Sequence, residues 1–97
     1  MLHLVLGYFD PFTAEYARAL LALPQEHQIV VTVCDPVNRS TLMDASGRAQ
    51  VIAGLKVVSA VLIGERIDAD IVTDLRSQDE RWSSALRDRV ARKHAPV

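Results

Sequence analysis

Three short apolar runs constrain the fold of this sequence more than any other feature. They are Leu2 to Leu6, Ile29 to Val33 and Val57 to Ile63, and each is nearly continuous rather than alternating between polar and apolar residues. That pattern is typical of strands buried on both faces, as in a parallel sheet. Parallel neighbours cannot be joined by a tight turn, so helices are expected between the runs.

Two segments between the runs have apolar residues at helical spacing. The predicted helices are residues 13–23, which lie between two prolines, and residues 45–55, with Asp44 or Ser46 as the N-cap. Their predicted buried stripes consist of Ala17, Leu20 and Leu21 in the first helix and of Val51, Ile52 and Leu55 in the second.

The last third of the chain predicts a short strand at Ile71-Val72 and a helix from about Gln78 to Lys93, opened by the capping box Ser77-x-x-Glu80. The link of residues 64–70 is too short for a helical crossover. The short strand should therefore either pair antiparallel with its predecessor or reach the far edge of the sheet through an extended link. The expected fold is a single α/β domain over residues 1–97: a small, three-layer, Rossmann-like βαβαβ(β)α unit with a mostly parallel sheet of three to four strands.

Charge and composition exclude several classes of partner. The net charge is −1, with 11 basic and 12 acidic residues, so the basic footprint that nucleic acids and anionic membranes require is missing. Cys34 is the only cysteine, which suits a reducing compartment. The N-terminus has no leader-like pattern, and no apolar stretch reaches the roughly 18 residues that span a bilayer. We therefore expect a cytoplasmic protein that binds neither nucleic acid nor membrane.

The turn after the first run carries the most functional information. Its sequence is Gly7-Tyr8-Phe9-Asp10-Pro11-Phe12-Thr13-Ala14-Glu15-Tyr16. In doubly wound folds this junction binds phosphates, because the backbone N–H groups at the helix N-terminus are unpaired. The segment resembles the signature G-x-F-D-x-x-(H or T)-x-G-H of cytidylyltransferases and pantetheine-phosphate adenylyltransferases, with matches at Gly7, Phe9, Asp10 and Thr13.

This resemblance to the nucleotidyltransferase-fold family, over residues 2–64, implies a set of ligand contacts. Arg39 stands where the family has a basic residue after the second strand, and Arg48 lies in the arginine-bearing helix. Thr13 and Arg39 would be the catalytic residues, with magnesium, if the chain were active. The resemblance implies that a nucleotide or phosphorylated ligand is bound by Gly7, Phe9, Asp10, Thr13, Tyr16, Arg39 and Arg48.

Two departures from the signature bear on catalysis. Glu15-Tyr16 replaces the family's Gly-His, so a carboxylate stands where a triphosphate would lie. Two like charges at about 4 Å repel by about 4 kcal/mol at an effective dielectric of ~20. Nucleotidyl transfer depends on positioning and charge stabilisation, so the resemblance implies a degenerate site.

We therefore expect a catalytically inactive, nucleotidyltransferase-like module that binds a nucleotide or another phosphorylated small molecule, or that oligomerises. No resident cofactor or metal is expected. Two alternatives stay open: an active minimal transferase whose site is completed by a partner chain, and a purely structural interaction domain. The small size of the domain favours a homodimer.

Overall fold

The sheet is parallel throughout the described chain. A computed structural model describes residues 1–10, 12–37, 40–78 and 81. The strands and helices bounded within these residues are β1 (Leu2–Gly7), α1 (Ala14–Leu21), β2 (Gln28–Val33), α2 (Ala45–Ala53), β3 (Ala60–Ile63) and β4 (Ile71–Asp74). The strands lie in the order β3-β2-β1-β4, and each neighbouring pair is parallel. The predicted α/β, Rossmann-like fold is confirmed.

β4 reaches the far edge of the sheet through an extended link, which was the second of the two predicted alternatives. It pairs parallel with β1, opposite to β3. The link crosses one face of the sheet, where the Thr32 hydroxyl donates to the Glu65 carbonyl oxygen at 2.7 Å. At its end the Asp70 backbone N–H donates to the Leu2 carbonyl oxygen, and the Leu2 N–H donates to the Asp70 carboxylate.

Both helices pack on the opposite face of the sheet. The two βαβ crossovers run in the same direction across the sheet, and the usual right-handed connection then puts α1 and α2 on one side. The main core lies there and joins Tyr16 and Leu20 of α1 and Ile52 of α2 to the sheet. The face crossed by the link has a smaller buried cluster of Leu4, Leu6 and Val30, which packs against Leu62 and Ala69 among others.

The predicted buried stripes of the helices were partly wrong. Leu21 is 61% exposed and Val51 is 46% exposed, whereas Tyr16 and Leu20 are the buried residues of α1. In α1 the helical spacing of apolar residues fits two neighbouring faces of the helix, and the face with the bulkier Tyr16 is the one that packs on the sheet. In α2 the buried residues are Arg48 and Ile52, and Val51 is left at the surface beside the β1–α1 turn.

Several predicted boundaries also move. α1 ends at Leu21 and α2 at Ala53, two residues before the predicted ends. β3 begins at Ala60, because Val57 and Val58 lie in the turn after α2 and contact the core from there. Helix–strand boundaries in apolar turns are not fixed by hydrophobicity alone.

The predicted capping box does not open the last helix. Residues 76–78 are already helical, and the Arg76 N–H is accepted by the Asp74 carboxylate at 3.0 Å. Ser77 thus lies inside the first turn rather than at the N-cap. Glu80 and the predicted continuation from Trp82 to Lys93 lie outside the described residues. Within the described ranges, no helix is long and apolar enough to cross a bilayer.

His3 gives the fold a predicted pH dependence. It is buried in β1, its Nε2 lies 2.6 Å from the Thr73 hydroxyl oxygen, and its ring centroid is 5.9 Å from that of His27. Burial lowers the pKa of His3 below 6.5, and His27 lowers it further. The unfolded chain then binds a proton before the folded one does. Stability is full above about pH 6.5 and falls as the pH drops from there toward the lowered pKa.

We expect His3 to remove up to about 1.4 kcal/mol of stability between pH 7.5 and 5.5. His3→Gln cannot titrate, so it should lose less stability over that interval than the wild type. Urea unfolding of both proteins at the two pH values measures the difference. Identical pH dependence in the two proteins would contradict this role for His3.

Candidate functional site

The carboxyl ends of three neighbouring strands define the candidate site. Gly7 of β1 is in register with Val33 of β2, and Leu6 of β1 with Asp74 of β4. From β1 the chain builds the sheet in one direction to β3, and then returns to place β4 on the other side of β1. The order therefore reverses between β1 and β4. In open α/β sheets, ligands bind at the carboxyl edge beside such a reversal.

The β1–α1 turn is held in an uncommon backbone conformation. Phe9 has φ 52°, in the left-handed region, and its side chain is fully buried. An L-residue with a bulky side chain adopts this region at an energetic cost, and such residues cluster at functional sites. The Phe9 ring lies 4.9 Å from that of Tyr16 and 6.3 Å from that of Phe12, measured between centroids. This aromatic packing keeps the turn in place.

Asp10 connects that turn to the segment before α2. Its side chain is fully buried, and one carboxylate oxygen accepts the backbone N–H groups of Leu42 at 2.8 Å and Met43 at 3.3 Å. A carboxylate that accepts two N–H bonds fixes both segments, since charge-assisted hydrogen bonds are stronger than neutral ones. Asp10, predicted as a ligand residue, thus has a structural role across two loops.

Arg48 is a second connector, buried at the N-terminal end of α2. Its Nη1 donates to the carbonyl oxygens of Tyr8 at 2.6 Å and Cys34 at 2.9 Å. Its Nε donates to the carbonyl oxygen of Met43 at 3.0 Å, and Nη2 donates to the Asp35 carboxylate. The guanidinium therefore fastens the ends of β1 and β2 to α2. Most of its donors are engaged by these protein acceptors.

The N-terminus of α1 carries the other predicted residues. Thr13 is the N-cap, but its side chain makes no capping bond, and its Oγ1 is buried without a hydrogen-bond partner among the described residues. Glu15 lies in the first turn, with its carboxylate 3.9 Å from the Arg18 guanidinium and partly exposed. Tyr16 is fully buried. The structure thus brings Thr13 and Glu15 to the edge of the site and puts Tyr16 in the core.

Gly7 closes β1, and its carbonyl oxygen accepts the Cys34 N–H at 2.8 Å. It therefore lies where the sequence predicted, at the base of the turn. Arg39, the other predicted phosphate ligand and catalytic residue, lies outside the described residues.

A charged pair at the end of β4 was not predicted from the sequence. The Arg76 guanidinium binds the Asp74 carboxylate through Nη2 at 2.6 Å and Nε at 2.9 Å. The Arg76 hydrogen bonds hold the pKa of the Asp74 carboxyl below its usual value. Both groups follow a strand that pairs with β1, and knowing that β4 lies beside β1 would have placed them at the site.

Cys34 lies near this pair but is not an activated nucleophile. Burial raises the pKa of its thiol, and the positive charge of Arg76 only partly offsets that effect. A thiol with a raised pKa stays protonated and unreactive near neutral pH. Among the described residues, no group of three or more His, Cys, Asp or Glu side chains is arranged to hold a metal ion.

A small apolar pocket adjoins the turn. Its volume is about 200 Å³, and it lies between the β1–α1 turn and α2. The lining residues are Phe9, Phe12, Leu42, Met43, Arg48 and Val51. Leu42, Met43 and Val51 are large apolar side chains with substantial exposure, so their surface is available to a ligand.

Comparisons of the chain with protein-family models, with curated proteins and with solved structures give no match.

Proposed function

We propose that this domain binds a nucleotide or another small phosphorylated ligand at the β1–α1 turn and does not catalyse nucleotidyl transfer. The phosphate would be held at the N-terminus of α1, beside Thr13, at the carboxyl edge of the sheet. The nucleotidyltransferase-like motif Gly7-x-Phe9-Asp10 would form the base of this site. Self-association into a homodimer stays a prediction from the size of the domain.

The strained, buried Phe9 is the observation that carries the proposal. Its left-handed φ of 52° is maintained by packing from Tyr16 and by the fixed neighbours Tyr8 and Asp10. A rigid turn directly before a helix N-terminus is preorganised for an anion, because it presents backbone N–H groups without a cost in ordering. The side chain of Thr13 favours the same use, since its buried hydroxyl makes no capping bond and a phosphate oxygen at the helix N-terminus would supply the partner it lacks among the described residues.

The residues at positions 15 and 16 support binding without transfer. The Glu15 carboxylate stands in the first turn of α1, where it opposes a highly charged triphosphate. Tyr16 is buried against the Phe9 ring, so it is poorly placed to donate to a reacting phosphate. Neither residue supplies the positive or donor group that stabilises charge in nucleotidyl transfer.

Thermal melts with ATP, CTP, AMP and inorganic phosphate, each with and without magnesium, test the proposal. A ligand at 100 times its Kd should stabilise the fold by about 2.7 kcal/mol. We expect stabilisation by at least one of the four and no release of pyrophosphate. Sustained pyrophosphate release would instead favour the active-transferase alternative, and the absence of any stabilisation would favour a structural interaction domain.

Glu15→Gln should strengthen anion binding. The change removes a negative charge from the proposed phosphate position, although Arg18 already screens part of it. We expect a three- to tenfold lower Kd for the ligand that binds, equivalent to about 0.7–1.4 kcal/mol. Isothermal titration of both proteins measures the change.

Glu26→Gln is the matched control for that variant. Glu26 is exposed and precedes β2, at the amino edge of the sheet, so its neutralisation should leave Kd unchanged. Equal gains in both variants would mean that only net charge matters, and that the ligand does not lie at the α1 N-terminus.

A further inference from the structure

We propose that the apolar pocket beside the β1–α1 turn holds the uncharged, ring-sized part of the ligand, so that the domain selects phosphate esters of aromatic or branched aliphatic alcohols. This inference rests on the proposed function, because it assumes that the phosphate lies at the N-terminus of α1. It adds the chemical class of the group attached to that phosphate.

The walls of the pocket favour an apolar group. Phe12 contributes a partly exposed aromatic ring, and Leu42, Met43 and Val51 contribute exposed aliphatic or thioether surface; Phe9 also lines the pocket but is itself fully buried. Covering exposed apolar surface of this kind is favourable by about 25 cal/mol for each Å² removed from water. The methionine thioether also makes favourable contacts with aromatic rings.

Among the described residues that line the pocket, Arg48 is the one that carries a charge, and it is poorly available to a ligand. Five protein carbonyl or carboxylate groups accept hydrogen bonds from its Nε, Nη1 and Nη2. A charged or strongly polar group in the pocket would lose its hydration and gain few hydrogen bonds in exchange. The pocket therefore discriminates in favour of an uncharged group.

The position of the pocket links it to the phosphate site. Phe12 lines the pocket, and the next residue is Thr13, the N-cap of α1. Consecutive Cα atoms are about 3.8 Å apart, so one small molecule can reach both places. An apolar cavity of about 150 Å³ accepts a benzene ring, and the volume here is about 200 Å³. A single ring attached to a phosphate fits both requirements.

Met43 lines the pocket, and a substitution at Gly47 can displace its side chain. A Cβ atom at Gly47 would lie 2.8 Å from the Met43 Cγ and 3.0 Å from its Sδ, so Gly47→Ala must displace the Met43 side chain. The flexible thioether can shift without disrupting the backbone, and alanine favours the helix over glycine. The Cβ would also lie 3.2 Å from the N-cap carboxylate of Asp44, which must shift slightly, so Gly47→Ala alters the pocket with only a small adjustment at the start of α2.

The test uses four probes with the full chain: phenyl phosphate, phenol, inorganic phosphate and phosphocholine. Binding is followed by the shifts of the backbone amide signals in two-dimensional NMR. We expect phenyl phosphate to bind at least tenfold more tightly than inorganic phosphate or phosphocholine. Its signals should include those of residues 9 and 12, as well as those of residues 13–15.

Two neutral substitutions provide the matched comparison. Val51→Gln makes the pocket polar, and Leu21→Gln makes the same kind of change at an exposed position of α1 that does not line it. We expect Val51→Gln to weaken phenyl phosphate at least fivefold and Gly47→Ala to change its affinity at least threefold. Leu21→Gln should leave it unchanged, and none of the three should alter the binding of inorganic phosphate.

The outcomes separate the two proposals. Equal affinity for phenyl phosphate and inorganic phosphate, with shifts at residues 13–15, would overturn the pocket assignment and leave the proposed function intact. If phenol bound while none of the three phosphate compounds did, the proposed function would be overturned, and this inference with it. Pocket signals that move with protein concentration rather than with probe would mean that a second copy covers the pocket, which also overturns the inference.

Discussion

Arg48→Ala should lower the free energy of unfolding by about 3 kcal/mol or more. Arg48 is 2% exposed and joins the ends of β1 and β2 to α2 through carbonyl groups of Tyr8, Cys34 and Met43. Removal of one partner from a buried, hydrogen-bonded charge network typically costs about 3–5 kcal/mol. The lower end is expected here, because Asp35 is largely exposed and would be rehydrated. Urea unfolding of the variant measures the loss.

Asp35→Asn separates the carbonyl contacts from the ion pair. The Asp35 side chain is 67% exposed, and exposed ion pairs contribute about 0–1 kcal/mol. Asp35→Asn should therefore cost less than about 1 kcal/mol. If Arg48→Ala cost no more than Asp35→Asn, the carbonyl contacts would contribute little, and the turn would not depend on Arg48.

Phe9→Ala should cost about 3–5 kcal/mol, because it removes a fully buried ring from the main core. Phe9→Gly should cost less than Phe9→Ala, by roughly 0.5–1 kcal/mol. Only glycine adopts a φ of 52° without strain. Elsewhere glycine is usually the more destabilising of the two residues, so the reversed order is diagnostic. Chemical denaturation of both variants gives the comparison.

If Phe9→Ala were more stable than Phe9→Gly, the backbone of Phe9 would not be strained in solution. The preorganisation on which the proposed anion site depends would then be lost as well. The Phe9 variants therefore test both the stability of the fold and the backbone strain at Phe9 on which the proposed function depends.

The order and type of the strands and helices could be predicted because the strong apolar runs and turn residues agree with each other. Two separate βαβ units require right-handed crossovers, which leaves few arrangements for β1, β2 and β3. β4 was less determined, since a seven-residue link permits either edge. What decides its position is the hydrogen bonding of the link to Leu2 and Thr32, which is a tertiary contact that local sequence patterns do not contain.

The candidate site was predictable in place but not in detail. Gly7, Asp10 and Thr13 could be placed at the carboxyl edge because strand-to-helix turns follow a general rule of α/β folds, and their role as ligands stays a prediction. The structural role of Arg48 could have been suspected, since it lies four residues before the buried Ile52 on the same helix face. Its contacts with Tyr8 and Cys34 join residues distant in the chain, and spacing alone does not reveal them.

Tyr16 shows why a motif match needs a structure. Its alignment with the family's histidine implied a ligand contact, whereas its ring is fully buried against Phe9. Asp74 and Arg76 show the converse, because no motif marks them although they lie at the carboxyl edge next to β1. Both cases depend on which strand lies beside which.

A titration of the isotope-labelled chain with ATP and CTP, followed through its backbone amide signals, tests the central proposal most directly. We expect saturable shifts in residues 7–10 and 12–16, at the carboxyl edge of the sheet, with at least one of the two nucleotides. Signals at the amino edge, such as those of Glu26 and Asp70, should not move. Shifts confined to the amino edge, or none with either nucleotide at about 10 mM, would contradict nucleotide binding at the β1–α1 turn.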